Sequence, residues 1–504
     1  MPPTPRRQWS ILVVCLLAAV AAAVAWPALN RPPAPLTLAN GAHLEWVDCW
    51  FPVSYFRPVH CGRFTTGREA GQASPAFELP VLYIPARPWR REPTPVLYIA
   101  GGPGGATELD ARSLPGWLAW IDEVDWPHDL VLYDQRGVGL GRPVLDCPEL
   151  LAERRSLLPL AADTPSVGRR LQSAAESCKA RLQAQGWDLG RFSTPANARD
   201  ALDLMAVLGA PRWDVYGVSY GTRVALTLER MAPQRLRAVV LDSVYPPEVQ
   251  AELADPWLLT RTFDLVARAC ELLEECRRPP AEVREDLNAV LTHLEHGFLE
   301  ARVADPDGGA PLLVRYNAED FAWLLFETLY RWDQIAGLPG QLRVLAQGTL
   351  PPGLEGLMAD SVAAALDTTF SDAVGGAVDC NDATAVGAGS AAAMRARYPG
   401  VAALTRHDWT YHPCRTWKVT DIGDAARAPV VAAVPTLLMA GEFDPVTPPE
   451  WAEAVAARLP NGYLFQFPGI GHGVLDSHEC ALALVRAFLA APEAPATPAC
   501  VTDL

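Results

Sequence analysis

The chain has 504 residues, of which 50% are hydrophobic and 20% charged, and a formal net charge of −16. This composition belongs to a folded globular protein and excludes a disordered one. The acidic balance, with no Lys/Arg-rich run beyond the N-terminus, excludes nucleic acid as a partner, because phosphate binding needs a concentrated basic surface.

At the N-terminus, Arg6 and Arg7 precede an apolar run from Ile11 to Trp26. That is the layout of an export signal, with Ala21–Ala23 or Ala23–Ala25 as a small-residue cleavage site. The run is short for a membrane span of about 20 residues. An uncleaved anchor stays open as the alternative. Residues 1–26 are therefore read as a signal peptide or N-terminal membrane anchor, residues 27–44 as a Pro-rich linker, and the protein as exported (periplasmic or secreted). Of the eleven cysteines, all but Cys15 lie beyond that segment. An even set in an exported chain reads as disulfides, and pairing of successive cysteines predicts 49–61, 147–178, 270–276, 380–414 and 480–500. No C-x-x-C occurs, and nothing in the pattern calls for a metal or another cofactor.

Short apolar runs then alternate with helical patterns. Strands are expected at Pro80–Pro85, Pro95–Ala100, Leu130–Tyr133, Trp213–Gly217 and Leu236–Val244, and helices at Ala196–Leu208 and from Tyr220 to about Ala232. This order predicts an α/β protein, a mainly parallel sheet flanked by helices, with its first part at 45–247. From 248 to 428 helical periodicity dominates, as in Glu319–Leu329 and Val362–Leu366, and β-like runs are scarce; this reads as an inserted, mostly helical cap. Strands return at Val434–Ala440 and Tyr463–Phe467, followed by a helix at His478–Ala490, so 429–504 completes the core.

The stretch Gly217-Val218-Ser219-Tyr220-Gly221 falls between a strand and a helix, where a strained turn exposes a serine hydroxyl. A hydroxyl needs a base to become a nucleophile, and the base needs an orienting acid. Asp444 and His472 follow in that order, each in a loop after a strand, at the edge where open parallel sheets hold their sites. Asp242 and Glu442 are rival acids; His478 is a rival base that reads better as a helix cap. Gly101-Gly102-Pro103-Gly104-Gly105 follows another strand. There the Gly102 N–H, with that of Tyr220, supplies an oxyanion hole, since Pro103 has no N–H.

The set GGPGG, YDQRGVGLG (133–141), GVSYGT, GEFDPVTPP and GIGHG resembles the prolyl-iminopeptidase and tripeptidyl-aminopeptidase branch of the α/β-hydrolases. The resemblance extends through AVDCND (377–382), CRTW (414–417) and Cys480 with Cys500, a TAP-like C-terminal region, and runs from about residue 45 to 500. One departure is Ala100, where many members have His. The resemblance implies a serine exopeptidase acting on peptides with free N-termini, releasing amino acids or short peptides, tripeptides among them, through an acyl-enzyme. It also implies cap carboxylates that hold the substrate's α-ammonium, with Glu327, Asp379 and Asp382 as candidates. A carboxylesterase or other small-molecule hydrolase on the same scaffold is the alternative, because fold and triad do not define the leaving group.

Overall fold

The computed structural model describes residues 26–503 apart from 27, 69–75, 161–163, 250, 273–275, 277, 384–412 and 496. The signal or anchor segment lies outside the described residues but for Trp26. Among the described residues, no helix is long and apolar enough to cross a membrane.

Nine strands form one sheet: β1 (His43–Val47), β2 (His60–Thr65), β3 (Glu78–Ile84), β4 (Val96–Ile99), β5 (Leu130–Tyr133), β6 (Trp213–Val218), β7 (Leu236–Asp242) and, after the cap, two more that complete the edge. The cap carries its own hairpin, β8 (Leu299–Val303) with β9 (Leu312–Tyr316), so the completing strands are β10 (Thr436–Gly441) and β11 (Gly462–Phe467). The order is β1-β2-β3-β5-β4-β6-β7-β10-β11. β1, β2, β3 and β5 pair antiparallel in turn, and every later pair is parallel. Central strands read as continuous apolar runs because both faces are covered. Along β4 and β5, Leu97, Ile99, Val131 and Tyr133 point into one core, whereas Val96, Leu130 and Leu132 point into another on the opposite face.

Three expectations need correction. β1 begins at His43, inside the stretch read as linker; its half-exposed HLEWV lacks the apolar run that marks a buried strand. The third strand to be buried between parallel neighbours, β7, ends at Asp242 rather than Val244, because Ser243 turns left-handed at φ 61°. The hairpin β8–β9 interrupts the cap; its inward residues Leu299, Ala301 and Val303 alternate with outward Glu300 and Arg302, a period-2 signal too short to stand out among helices.

Helices α1 (Leu114–Glu123), α2 (Thr194–Leu208) and α3 (Tyr220–Met231) belong to the core. In the cap, α4 (Ala318–Thr328) starts at a capping box between Asn317 and Asp320, and is followed by α5 (Leu354–Ala365) and α6 (Asp372–Asp382). α7 (Glu479–Ala490) returns to the core, its start capped by His478, whose Nδ1 accepts the Cys480 N–H at 3.2 Å. The cap has a core of its own, built on Phe263, Leu287, Phe321 and Met358, which also takes in Phe443 beside Asp444. The ten cysteines form the five expected pairs.

Candidate active site

The chain leaves β4 toward β5 on one side and later returns to β6 on the other, so a crevice opens above the carboxyl ends of β4 and β6. Ser219 follows β6 directly, at φ 54° and ψ −124°, a conformation that L-residues avoid. Glycine on either side makes the elbow feasible. A Cβ on Gly217 would stand 2.5 Å from the Gly221 carbonyl oxygen, and one on Gly221 would stand 2.1 Å from that of Ile99. Neither position admits a side chain. The Ser219 N–H donates to the Asp242 carbonyl at 2.9 Å, and the start of α3 points at the hydroxyl's surroundings with the positive end of its dipole.

The glycine loop after β4 lies against Ser219: a Cβ on Gly101 would be 3.5 Å from its Oγ. Among the described residues, the N–H groups of Gly102 and Tyr220 have no hydrogen-bond acceptor, as an oxyanion hole requires. The Tyr220 side chain turns inward, its hydroxyl 3.0 Å from both Thr194 Oγ1 and Asn197 Nδ2. The loop is held from two sides. Gln135 Nε2 donates to the Ala100 carbonyl at 3.0 Å, and the Ser371 N–H of the cap donates to the Gly104 carbonyl at 2.8 Å.

The D-Q-R stretch therefore acts as a support rather than as a reagent. Asp134 is fully buried and accepts the N–H groups of Thr107 and Leu140, both at 2.8 Å; burial pushes its carboxyl up to about 6. Arg136 forms a bidentate pair with Asp200, both bonds 2.8 Å, and its guanidinium lies over the Phe77 ring. Nothing in the sequence spacing announces these roles.

Asp444, fully buried in the loop after β10, brings its Oδ2 to 2.8 Å from His472 Nδ1 in the loop after β11. Thr447 Oγ1 donates to the same oxygen at 2.7 Å, and Oδ1 accepts the N–H groups of Val446 and Thr447 at 2.8 Å. Burial alone would raise the Asp444 carboxyl, but the facing imidazole and these hydrogen bonds hold it below the ordinary value. Burial alone would depress His472, but Asp444, with Asp242 behind it, raises it above the ordinary imidazole value. With its Nδ1–H given to Asp444, the ring keeps Nε2 as the proton-accepting nitrogen.

The rival residues have other partners. Asp242 accepts the Tyr216 hydroxyl at 2.7 Å and the N–H groups of Val474 and Leu475, so it pins the turn after His472. Glu442 pairs with Arg268 at 2.7 Å. The cap reaches the site through Arg261, which donates to the carbonyls of Asp444 at 2.6 Å and Glu442 at 2.8 Å, and through Tyr330, packed edge-on against the His472 ring at 5.0 Å. Of the three cap carboxylates, Asp382 is 1% exposed and accepts the Thr194 N–H with both oxygens, so it offers nothing to a substrate. Asp379, one turn earlier on α6, is half-buried in the electrostatic field of Arg223. Glu327, near the end of α4, opens on a cavity of about 510 Å³ shared with Tyr330, Trp323 and Ser361.

Comparison with known proteins agrees with this architecture. Residues 94–348 match the family model described as alpha/beta hydrolase fold, and residues 402–500 match that of the TAP-like protein. The chain is 30% identical over 216 residues to a tripeptidyl aminopeptidase of Streptomyces coelicolor, covering 42% of this chain and 39% of that protein. It is 26% identical over 185 residues to the serine protease Hip1 of Mycobacterium tuberculosis, 33% of this chain and 34% of that one. The matches thus span about two fifths or less of those relatives. Among solved structures, an alpha/beta hydrolase enzyme from a Medee basin deep-sea metagenome covers 82% of this chain and 94% of its own, at 13% identity and a TM-score of 0.39. On the model spanning half of its residues, the chain belongs to the α/β-hydrolase fold family.

Proposed function

We propose that this protein is an exported serine aminopeptidase that releases short peptides from free N-termini. Ser219 attacks the scissile carbonyl while His472 takes its proton, and Asp444 stabilises the imidazolium that forms. The N–H groups of Gly102 and Tyr220 hold the oxyanion. His472 then protonates the leaving amine and activates the water that hydrolyses the acyl-enzyme. Likeness to a tripeptidyl aminopeptidase and a serine protease supports peptide as the substrate, and five disulfides support export.

The observation that carries the exopeptidase reading is Glu327. Its carboxylate lies by the Ser361 hydroxyl, but its Oε2 is buried with no hydrogen-bond partner among the described residues, at a cavity whose wall includes the tyrosine that packs on His472. A buried acceptor left open in a cavity that shares Tyr330 with the base suits an incoming ammonium, which would fix the distance from N-terminus to scissile bond. Peptide anilides with free and acetylated N-termini test this. Acetylation is expected to lower kcat/KM at least tenfold in the native enzyme and to matter little in Glu327→Gln. Equal rates for both substrates in the native enzyme would overturn the reading.

A further inference from the structure

A second cavity, also about 510 Å³, is lined by Gly101 and Gly105 of the glycine loop, by Tyr98 and Tyr216 of the sheet and by Trp117 and Trp120 of α1. Gly101, Val218 and Gly473 line it, and these are the chain neighbours of Gly102, Ser219 and His472. It therefore adjoins the reacting centre without containing Glu327.

Its walls form a continuous aromatic series. Tyr216 stacks on Tyr98 at 5.9 Å and 17°, Tyr98 meets Trp117 edge-on at 4.9 Å, and Trp120 links Trp117 to Trp126 at 6.4 and 5.5 Å. Trp126, 4% exposed, lines the cavity with an indole N–H that has no partner among the described residues. The charges are one-sided. Glu108, Asp242 and Asp476 line the cavity, and no Lys, Arg or His does. Asp242 is already committed to Tyr216 and the 474–475 turn. Glu108 and Asp476, by contrast, form no ion pair among the described residues. Burial raises the Asp476 carboxyl and Asp242 raises it further, while the same three carboxylates act together on the Tyr98 hydroxyl.

Aromatic faces attract a cation through the ring quadrupole, and a long aliphatic stem packs on them while its charged head reaches a carboxylate. An anionic ligand would meet uncompensated repulsion. We propose that this cavity is a specificity pocket for a basic side chain, Lys or Arg, in a residue next to the scissile bond. The assignment rests on the peptidase reading of Ser219 only in naming a peptide as the bearer of that side chain.

Two measurements separate the two claims. In the Ser219→Ala protein, N-butylguanidinium titrated against tryptophan fluorescence is expected to bind at least tenfold tighter than 1-pentanol. In the same protein carrying Glu108→Gln and Asp476→Asn, that ratio is expected to fall below twofold. Equal binding of cation and alcohol, or a ratio that survives the double substitution, overturns the pocket. With catalytically intact protein, free-N-terminus tripeptide anilides carrying Lys, Arg, norleucine or Glu at each position are compared. A basic residue bonded to the anilide is expected to raise kcat/KM at least tenfold over norleucine, and the two substitutions to erase that ratio; a basic preference confined to another position overturns the placement. Cation binding without such a preference overturns the substrate assignment. Failure to cleave any anilide, with cation binding intact, overturns the peptidase reading and leaves the cation site standing.

Discussion

Asp444 Oδ2 lies 2.8 Å from His472 Nδ1, with Asp444 buried and the His472 ring packed against the cap residue Tyr330. Each partner favours the other's charged form: the imidazole is held above its ordinary pKa and the carboxyl below its own. In the proposed mechanism His472 must be neutral to accept the Ser219 proton. Activity should therefore rise with pH through the raised His472 pKa, with an acid limb above the ordinary imidazole value of about 6.5. In Asp444→Asn the limb should move down and kcat should fall on the order of 10⁴-fold, because the tautomer is no longer enforced. A pH profile of kcat/KM with a p-nitrophenyl ester checks both; an unmoved limb would show that another group sets it. The same shifts act on stability with opposite signs. The Asp444 contribution is present above the ordinary carboxyl pKa and lost as pH falls through its lowered value. That of His472 is present below the ordinary imidazole pKa and lost as pH rises through its raised value.

Ser219 occupies a left-handed elbow that both flanking glycines make sterically feasible. Ser219→Ala retains that backbone while removing the hydroxyl. It should abolish labelling by a fluorophosphonate probe and lower kcat on the order of 10⁶-fold. Thermal unfolding should stay within a few degrees of the native protein, since the hydroxyl makes no structural hydrogen bond among the described residues. Labelling that persists would remove Ser219 from the chemistry.

The parts of this site that were legible in the sequence are those built by local order. The buried strands β6 and β10 read as unbroken apolar runs and the edge strand β11 as a shorter one; Ser219 follows β6 directly, Asp444 lies three residues beyond β10 and His472 five beyond β11, so strand ends pointed to all three. What holds them was not legible. Asp134 takes the Thr107 N–H across 27 residues, and Arg261 reaches the Asp444 carbonyl across 183. Contacts of that kind leave no periodicity or spacing behind, and β1, half-exposed, leaves only a faint one. Asp382 and Glu327 looked alike as cap carboxylates. Only packing distinguishes the one sealed against Thr194 from the one open to a cavity.

Arg261 offers a test of how far the cap positions the acid. Its guanidinium fork spans the carbonyls of Asp444 and Glu442 from the cap helix Ala251–Arg268. Lysine cannot present two donors in that geometry, so Arg261→Lys should loosen the Asp444 loop without unfolding the core. kcat should fall about 10- to 100-fold with KM changed by less than threefold, and the acid limb should drift toward the ordinary imidazole value. A pure KM effect would mean that Arg261 serves substrate binding instead.

Glu229 on α3 is 1% exposed; one oxygen accepts the Thr436 hydroxyl at 3.0 Å and the other has no partner among the described residues. Burial raises its carboxyl to about 8 from an ordinary 4.5. Between those values the native protein keeps a proton that the unfolded chain releases, so this residue makes stability fall as pH rises. The slope approaches about 1.4 kcal/mol per pH unit in mid-range, less whatever water penetration relieves. Glu229→Gln mimics the protonated side chain at every pH. It should match the native protein near pH 5 and exceed it by a few kcal/mol at pH 8 to 9, read as a growing gap between urea midpoints. A gap that does not change with pH would mean that Glu229 is already ionised in the folded protein, with a countercharge that compensates it.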